Sequence, residues 1–166
     1  MKITGERVIL RSVQASDFAY IVAWTNNKQV GHFAEDDGYP ETLEQCENWY
    51  RRLLSDRYNQ VFVITLDDQP IGDIELDHIA WRSGEAEMRI RIGVPEYWSQ
   101  GYGTDAVKTL LHYAFVSMQL KRIYLRVSKN NPRAIRCYQK AGFKKEGKLV
   151  RTITGEHEET IYLMRI

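Results

Sequence analysis

Ser99-Gln100-Gly101-Tyr102-Gly103-Thr104 is the stretch of this 166-residue chain whose residue types are best suited to chemistry. It leads into Ala106, Val107, Leu110, Leu111, Ala114 and Phe115, which recur at helical spacing. Free N–H groups at a helix start, with the positive end of the helix dipole behind them, make an anion site, and glycines let the backbone approach the ligand closely. The bland alternative is a tight turn that uses glycine for positive φ. A dinucleotide fingerprint needs G-x-G-x-x-G after the first strand of a βαβ unit, and a P-loop needs Gly-Lys-Ser/Thr; the stretch has neither. There is no Gly-x-Ser-x-Gly elbow and no His-Glu-x-x-His, and the four histidines lack metal-ligand spacing. Cys46 and Cys137 lie too far apart for a CxxC site or a disulfide framework and read as buried small hydrophobes.

The elements that must position this loop can be read from period and punctuation. Val8 to Val13 is a short β-branched strand, and Ser16 and Asp17 offer an N-cap to a helix carrying Phe18, Ile21 and Val22 that fades at Asn26-Asn27. Thr42 with Gln45 has capping-box spacing ahead of Leu43, Cys46, Trp49, Tyr50, Leu53 and Leu54. Val61 to Leu66, the turn Asp67-Asp68-Gln69-Pro70 and Ile71 to Ile79 read as a hairpin. After a turn at Arg82-Ser83-Gly84, Met88, Ile90 and Ile92 alternate with Glu87, Arg89 and Arg91, so a third antiparallel strand carries one polar face. Beyond the loop and its helix come a strand at Ile123 to Val127 and a helix opened by Asn131 as N-cap with Pro132 at its first position. Gly142 suits the C′ position of that helix, with Phe143 packing back on it. Lys144 to Val150 and Thr160 to Arg165 complete the chain as a hairpin around Gly155. The expected fold is α/β (α+β): a mixed, mostly antiparallel six- to seven-stranded sheet flanked by about four helices, in a single domain over 1–166.

Composition narrows the partners. With 43% apolar and 11% aromatic residues the chain has ample core material, so disorder is excluded. Lys plus Arg at 23 against Asp plus Glu at 22 leaves a net charge of +1, which makes nucleic acid an unlikely partner. The first seven residues carry charge at once and no stretch approaches the roughly 18 apolar residues of a membrane span, so a soluble, cytoplasmic protein with no membrane partner is expected.

Two blocks, Pro95-Glu96-Tyr97-Trp98-Ser99-Gln100-Gly101-Tyr102-Gly103-Thr104-Asp105-Ala106 and Asn131 to Phe143, give the chain its resemblance to the GCN5-related N-acetyltransferase family. The first block looks like that family's acetyl-CoA pyrophosphate loop, with one departure: Trp98 stands where the Gln/Arg-x-x-Gly-x-Gly/Ala pattern wants Gln or Arg. Val8-Ile9-Leu10-Arg11 followed by Asp17, and the Asn26-Asn27 pair, resemble the branch that acetylates spermidine and ribosomal-protein N-termini.

The resemblance implies acetyl-CoA as co-substrate, no metal, and direct attack by a primary amine with no enzyme nucleophile. It implies that acetyl-CoA lies where two strands splay apart, on the backbone of Ile90 to Val94, with Ile92, Gly93 and Val94 at its end. Loop residues Ser99, Gln100, Gly101, Tyr102, Gly103 and Thr104 would hold the pyrophosphate, joined by Asn131, Arg133 and Ala134. Arg133, Arg136 and Lys129 would meet the 3′-phosphate or form a solvated helix face. Tyr138 is the expected acid for the leaving thiolate, because a phenol of pKa about 10 is protonated at neutral pH; as a core aromatic it would do nothing chemical. Glu87 and Glu75, on the strands that line the acceptor side, are the candidate bases, with solvated carboxylates paired to Arg89 or Arg91 as the alternative. The acidic run Glu35-Asp36-Asp37 would draw a cationic amine, or be a plain polar loop.

The acceptor implied is a polyamine, aminoglycoside, amino sugar or protein N-terminus. The competing expectation is a non-catalytic acyl-CoA-binding or regulatory module on the same fold. A third, contact with RNA through Lys144, Lys145, Lys148 and Arg151, is disfavoured by the net charge. Pairing of edge strands makes a homodimer possible.

Overall fold

Short β-branched and aromatic runs separated by turn residues build one sheet of eight strands in a computed structural model that describes residues 1–32, 38–152 and 158–166. The strands are β1 (Lys2–Thr4), β2 (Ile9–Ser12), β3 (Gln60–Leu66), β4 (Gln69–Ala80), β5 (Glu85–Ile92), β6 (Arg122–Ser128), β7 (Lys144–Thr152) and β8 (Glu158–Arg165), in the order β1-β2-β3-β4-β5-β6-β8-β7. The helices are α1 (Phe18–Asn26), α2 (Lys28–His32), α3 (Leu43–Ser55), α4 (Tyr102–His112) and α5 (Pro132–Lys140). Among the described residues, eight strands and five helices replace the expected six to seven and about four. The additional strand β1 has only Ile3 as an apolar residue and exists because it pairs with β2. The additional helix α2 starts at once after α1, because the Asn27 side chain accepts hydrogen bonds from the backbone of Gln29 and Val30 at 2.9 and 3.3 Å. The run Glu35-Asp36-Asp37 and residues Glu156 and His157 at the last hairpin lie outside the described residues.

Every strand pair is antiparallel except β5 with β6, which run parallel and pair only from Glu85–Arg122 to Glu87–Tyr124. One face of the sheet carries the larger core. Ala86, Met88 and Ile92 of β5, Ile123, Leu125 and Val127 of β6, Val107 and Leu110 of α4 and Tyr138 of α5 belong to it. On the other face Ile21 and Trp24 of α1, Val30 of α2 and Cys46 of α3 pack around Val63. Burial pushes the Cys46 thiol up to about 11, as befits a packing residue.

The polar face of β4 and β5 is turned inward on this second side. Asp73, Glu75, Glu87 and Arg91 are all buried. Charge is tolerated there because the register sets Asp73 opposite Arg91 and Glu75 opposite Arg89. Arg91 donates to both Asp73 oxygens at 3.0–3.1 Å, to Thr25 Oγ1 at 2.9 Å and to the Ile21 carbonyl at 3.3 Å, and its guanidinium lies 3.8 Å from the Tyr39 ring centroid. One side chain thus ties β5 to β4, to α1 and to the segment ahead of α3.

Removing one partner of a buried ion pair strands the other charge, a loss of about 3–5 kcal/mol. Arg91→Met is therefore expected to lower unfolding stability by about that much in urea titration, and the double change Arg91→Met/Asp73→Leu to recover more than half of it.

Candidate active site

The parallel β5–β6 ladder ends at Glu87, so beyond that residue the two strands diverge. The Gly93 N–H is taken by the Ile71 carbonyl at 2.7 Å. Because hydrogen bonding alternates sides along an antiparallel strand, the amides of Ile90 and Ile92 then point away from β4 to the opened edge. Ile90, Arg91 and Ile92 line a cleft of about 220 Å³ whose other walls are the loop before α4 and the exposed side of α5. Val30, from the opposite face of the sheet, also lines it, so the cleft passes through the gap between the strands.

Local chemistry shapes the loop wall. Pro95 starts a single 3₁₀ turn to Tyr97, Ser99 is left-handed at φ 61°, and Gly101 caps α4 at φ 89°. Three contacts hold the loop in place. Trp98 Nε1 donates to the Ile92 carbonyl at 2.8 Å, so the residue that departs from the family pattern fastens the loop to the end of β5. The Arg7 guanidinium donates to the Gln100 carbonyl and lies 4.2 Å from the Tyr102 ring centroid. The Asp105 carboxylate, in the first turn of α4, accepts from the backbone N–H groups of Glu6, Arg7 and Val8 at 3.1, 2.8 and 2.9 Å.

The α5 wall follows from its caps. Asn131 Oδ1 accepts from Ala134 N at 3.3 Å, Pro132 stands at the first position, and Gly142 ends the helix at φ 107° with Phe143 N donating back to the Tyr138 carbonyl at 2.9 Å. This registers Asn131, Arg133, Ala134, Arg136, Cys137, Tyr138 and Lys140 along the cleft. Arg133 stacks on Trp98 at 3.9 Å, its proton affinity lowered by burial. Tyr138 is 8% exposed and packs edge-to-face on Phe143 with centroids 6.0 Å apart. Thr104 Oγ1 donates to Cys137 Sγ at 3.4 Å, so Cys137, read from sequence as packing, also lines the cleft; burial raises its thiol.

Of the residues expected to contact cofactor, Ile92, Ser99, Gly101, Gly103, Thr104, Asn131, Arg133 and Ala134 line this cleft together with Tyr138. Gly93, Val94, Gln100 and Tyr102 are not among its lining residues. Instead, Gly93 gives the Trp24 ring room, since a Cβ there would lie 2.2 Å from it. Lys129 is also absent from the lining, whereas Lys140 joins Arg133 and Arg136 in it.

The two carboxylates are held apart. Glu87 sits at the paired end of β5, where Arg126 Nε donates to it at 2.7 Å and His78 Nδ1 lies 3.5 Å away, and it lines neither cavity. Glu75 is ion-paired with Arg89 and lines a separate void of about 10 Å³ with Tyr39, Asp73 and Arg89. A void of that size holds about one water. Burial, opposed by Arg89, pushes the Glu75 carboxyl up to about 7. Neither carboxylate is the solvated strand residue of the alternative reading.

The cleft suits an elongated anionic thioester. Outward amides suit a carbonyl, the basic side chains of Arg133, Arg136 and Lys140 along it suit phosphates, and a Cβ placed on Gly103 would find its nearest atoms at 3.6 and 3.8 Å, an unfilled cradle. A mostly antiparallel sheet opened at its one parallel pair, with a glycine-capped helix at the opening, defines an acyl-CoA-dependent transferase fold. The acetyltransferase (GNAT) domain family matches residues 7–144. Spermidine N(1)-acetyltransferase of Escherichia coli is 32% identical over 95% of this chain and 85% of its own length. Aminoglycoside N(6′)-acetyltransferase type 1 of Klebsiella pneumoniae is 25% identical over 98% of this chain and 84% of its own. Among solved structures, spermidine N-acetyltransferase from Vibrio cholerae in complex with CoA and spermine superposes with a TM-score of 0.87 at 27% identity, covering 96% of this chain and 95% of that one. The chain belongs to the GNAT acetyltransferase family.

Gly103→Ala tests the cradle without disturbing the fold, since its Cβ makes only ordinary contacts. Its urea midpoint is expected to stay at the parent value while CoA affinity, measured by calorimetry, falls at least about tenfold, roughly 1.4 kcal/mol.

Proposed function

We propose that this chain moves an acetyl group from acetyl-CoA to a primary amine by direct attack, with Tyr138 as the acid and Glu75 as the base. The observation that carries this reading is the convergence, in one cleft, of the unpaired β5 edge at Ile90–Ile92 with Tyr138 on α5. Acetyl-CoA supplies the activated acyl group as a thioester. The Ile90 and Ile92 amides bind and polarise the acetyl carbonyl, and the N–H groups at the start of α4 bind the pyrophosphate. Arg133, Arg136 and Lys140 bind the remaining phosphate. Tyr138 gives its phenol proton to the departing sulfur, and the proton that the nitrogen sheds as the intermediate collapses restores the phenol. Glu75, with an affinity near 7, takes the proton that the acceptor ammonium gives up to become the attacking amine, through the water its cavity accommodates. Glu87, clamped by Arg126, serves to hold the end of the β5–β6 pair.

The acceptors we put first are polyamines and aminoglycosides, the amines that the relatives' names carry. The cytoplasm is the compartment this reading assigns: Cys46 and Cys137 are free thiols, in keeping with a reducing environment. No helix among the described residues is long and apolar enough to cross a membrane. We also infer self-association through the outer strand β7; a relative, spermidine N-acetyltransferase from Vibrio cholerae, has a dodecameric structure.

The test is thiol release from acetyl-CoA against polyamines, aminoglycosides, amino sugars and short peptides. Tyr138→Phe keeps the ring that packs on Phe143, so CoA affinity is expected to hold while kcat with the best amine falls about 100-fold or more. No release with any amine, with CoA bound normally, would instead make the chain a non-catalytic acyl-CoA-binding module.

A further inference from the structure

The Glu75 carboxylate has a neighbour that the reaction above does not use. Arg89 stands directly opposite it in the β4–β5 register, and their side chains are ion-paired with exposures of only 16% and 7%. Both line the water-sized void, whose wall also includes Asp73, and Asp73 is clamped by Arg91, a residue of the cofactor cleft. The void is therefore one ion pair away from the site of acyl transfer. The Arg89 guanidinium is itself fixed from above by Tyr39, whose ring centroid lies 5.0 Å away.

We propose that Arg89 is a positioning residue for acetyl transfer: it aims the Glu75 carboxylate into the water-sized void and sets the pH at which that carboxylate is ready to accept a proton. The inference rests on the assignment of Glu75 as base. Without a cation beside it, a carboxylate buried among Ile21, Trp49 and Val61 would stay protonated at neutral pH. The groups facing Glu75 are Asp73 and Asp77 from its own strand, Arg89 from β5, and Tyr39 from the segment ahead of α3. Facing it from β3, its register partner is the apolar Val61. The two aspartates raise its proton affinity along with burial, and Arg89 opposes them, bringing the carboxyl to about 7. During turnover the acceptor ammonium gives one proton to the void's water, that water passes one to Glu75, and Arg89 keeps its own. The neutral carboxyl then returns the proton to solvent.

The experiment compares the pH profile of kcat/KM, with the best amine from the thiol-release panel, for the parent, Arg89→Met, Arg89→Gln, Arg89→Lys and Glu75→Gln. Carbon-13 NMR of glutamate-labelled protein follows the Glu75 titration independently of activity. Removing the cation raises the carboxyl affinity, so the acid limb moves to higher pH. The expected shift for Arg89→Met and Arg89→Gln is at least about one pH unit, read as a loss of about tenfold at pH 6 that largely disappears at pH 9. Arg89→Lys keeps most of the parent profile, and the Glu75 resonance moves by the same shift as the limb. A loss that is equal at all pH values, or a Glu75 titration that does not move in either neutral variant, overturns the role of Arg89 while leaving Glu75 as base. An acid limb that survives in Glu75→Gln overturns the base assignment, and Arg89 with it.

Discussion

β5 and β6 are held together by a parallel ladder of three residue pairs, Glu85 to Glu87 with Arg122 to Tyr124, and then part. A strand edge opened inside a sheet has backbone donors with no internal partner, which is a costly arrangement unless a ligand or water meets them. The surroundings keep the gap from closing. On one side Trp98 donates to the Ile92 carbonyl; on the other, Arg91 binds Asp73 and, at Thr25 and the Ile21 carbonyl, α1. The C-terminal half then supplies a helix, α5, whose caps align Asn131, Arg133 and Tyr138 along the opening. The separation of two strands thus makes both the binding surface and the passage between the two faces of the sheet.

The two faces have different electrostatics, and the proposed reaction draws on both. On the α4–α5 side the groups that meet the cleft are cationic or neutral, in keeping with phosphates and a thioester. On the α1–α3 side Asp73 stands opposite Arg91 and Glu75 opposite Arg89 across β4 and β5. That pairing lets these charges be buried with no isolated one among them. It also gives the two carboxylates different environments: Glu75 faces a water-sized void, whereas Glu87 is closed over by Arg126.

Features determined within a few residues were legible in the sequence. Gly101 at a positive-φ cap, the Thr42 cap of α3, Asn131-Pro132 at the start of α5 and Gly142 at its end all came from spacing and residue type, because each is satisfied by its own backbone neighbourhood. The three antiparallel strands β3 to β5 were visible in their period. Features that depend on contacts distant in sequence were not. Nothing local marks Asp105 as the anchor for residues 6–8, or Trp98 as the fastener of the loop, or Asp73 as the partner of Arg91. The alternation Glu87, Arg89, Arg91 marks one polar face; its burial follows from α1 and α3 packing over it, which the period of β5 does not encode. Cys137 lines the cleft for a similar reason: the loop carrying Thr104 meets α5 there.

Acetyl-CoA binding in this cleft depends on the Ile90 and Ile92 amides being open donors. Residue-resolved amide hydrogen exchange with and without CoA measures this directly. Both amides are expected to exchange readily in the free protein and to gain at least about tenfold protection when CoA is bound, while Gly93, already donating to Ile71, changes little. Strong protection of Ile90 and Ile92 before CoA is added, or no gain on binding it, would contradict that role of the two amides.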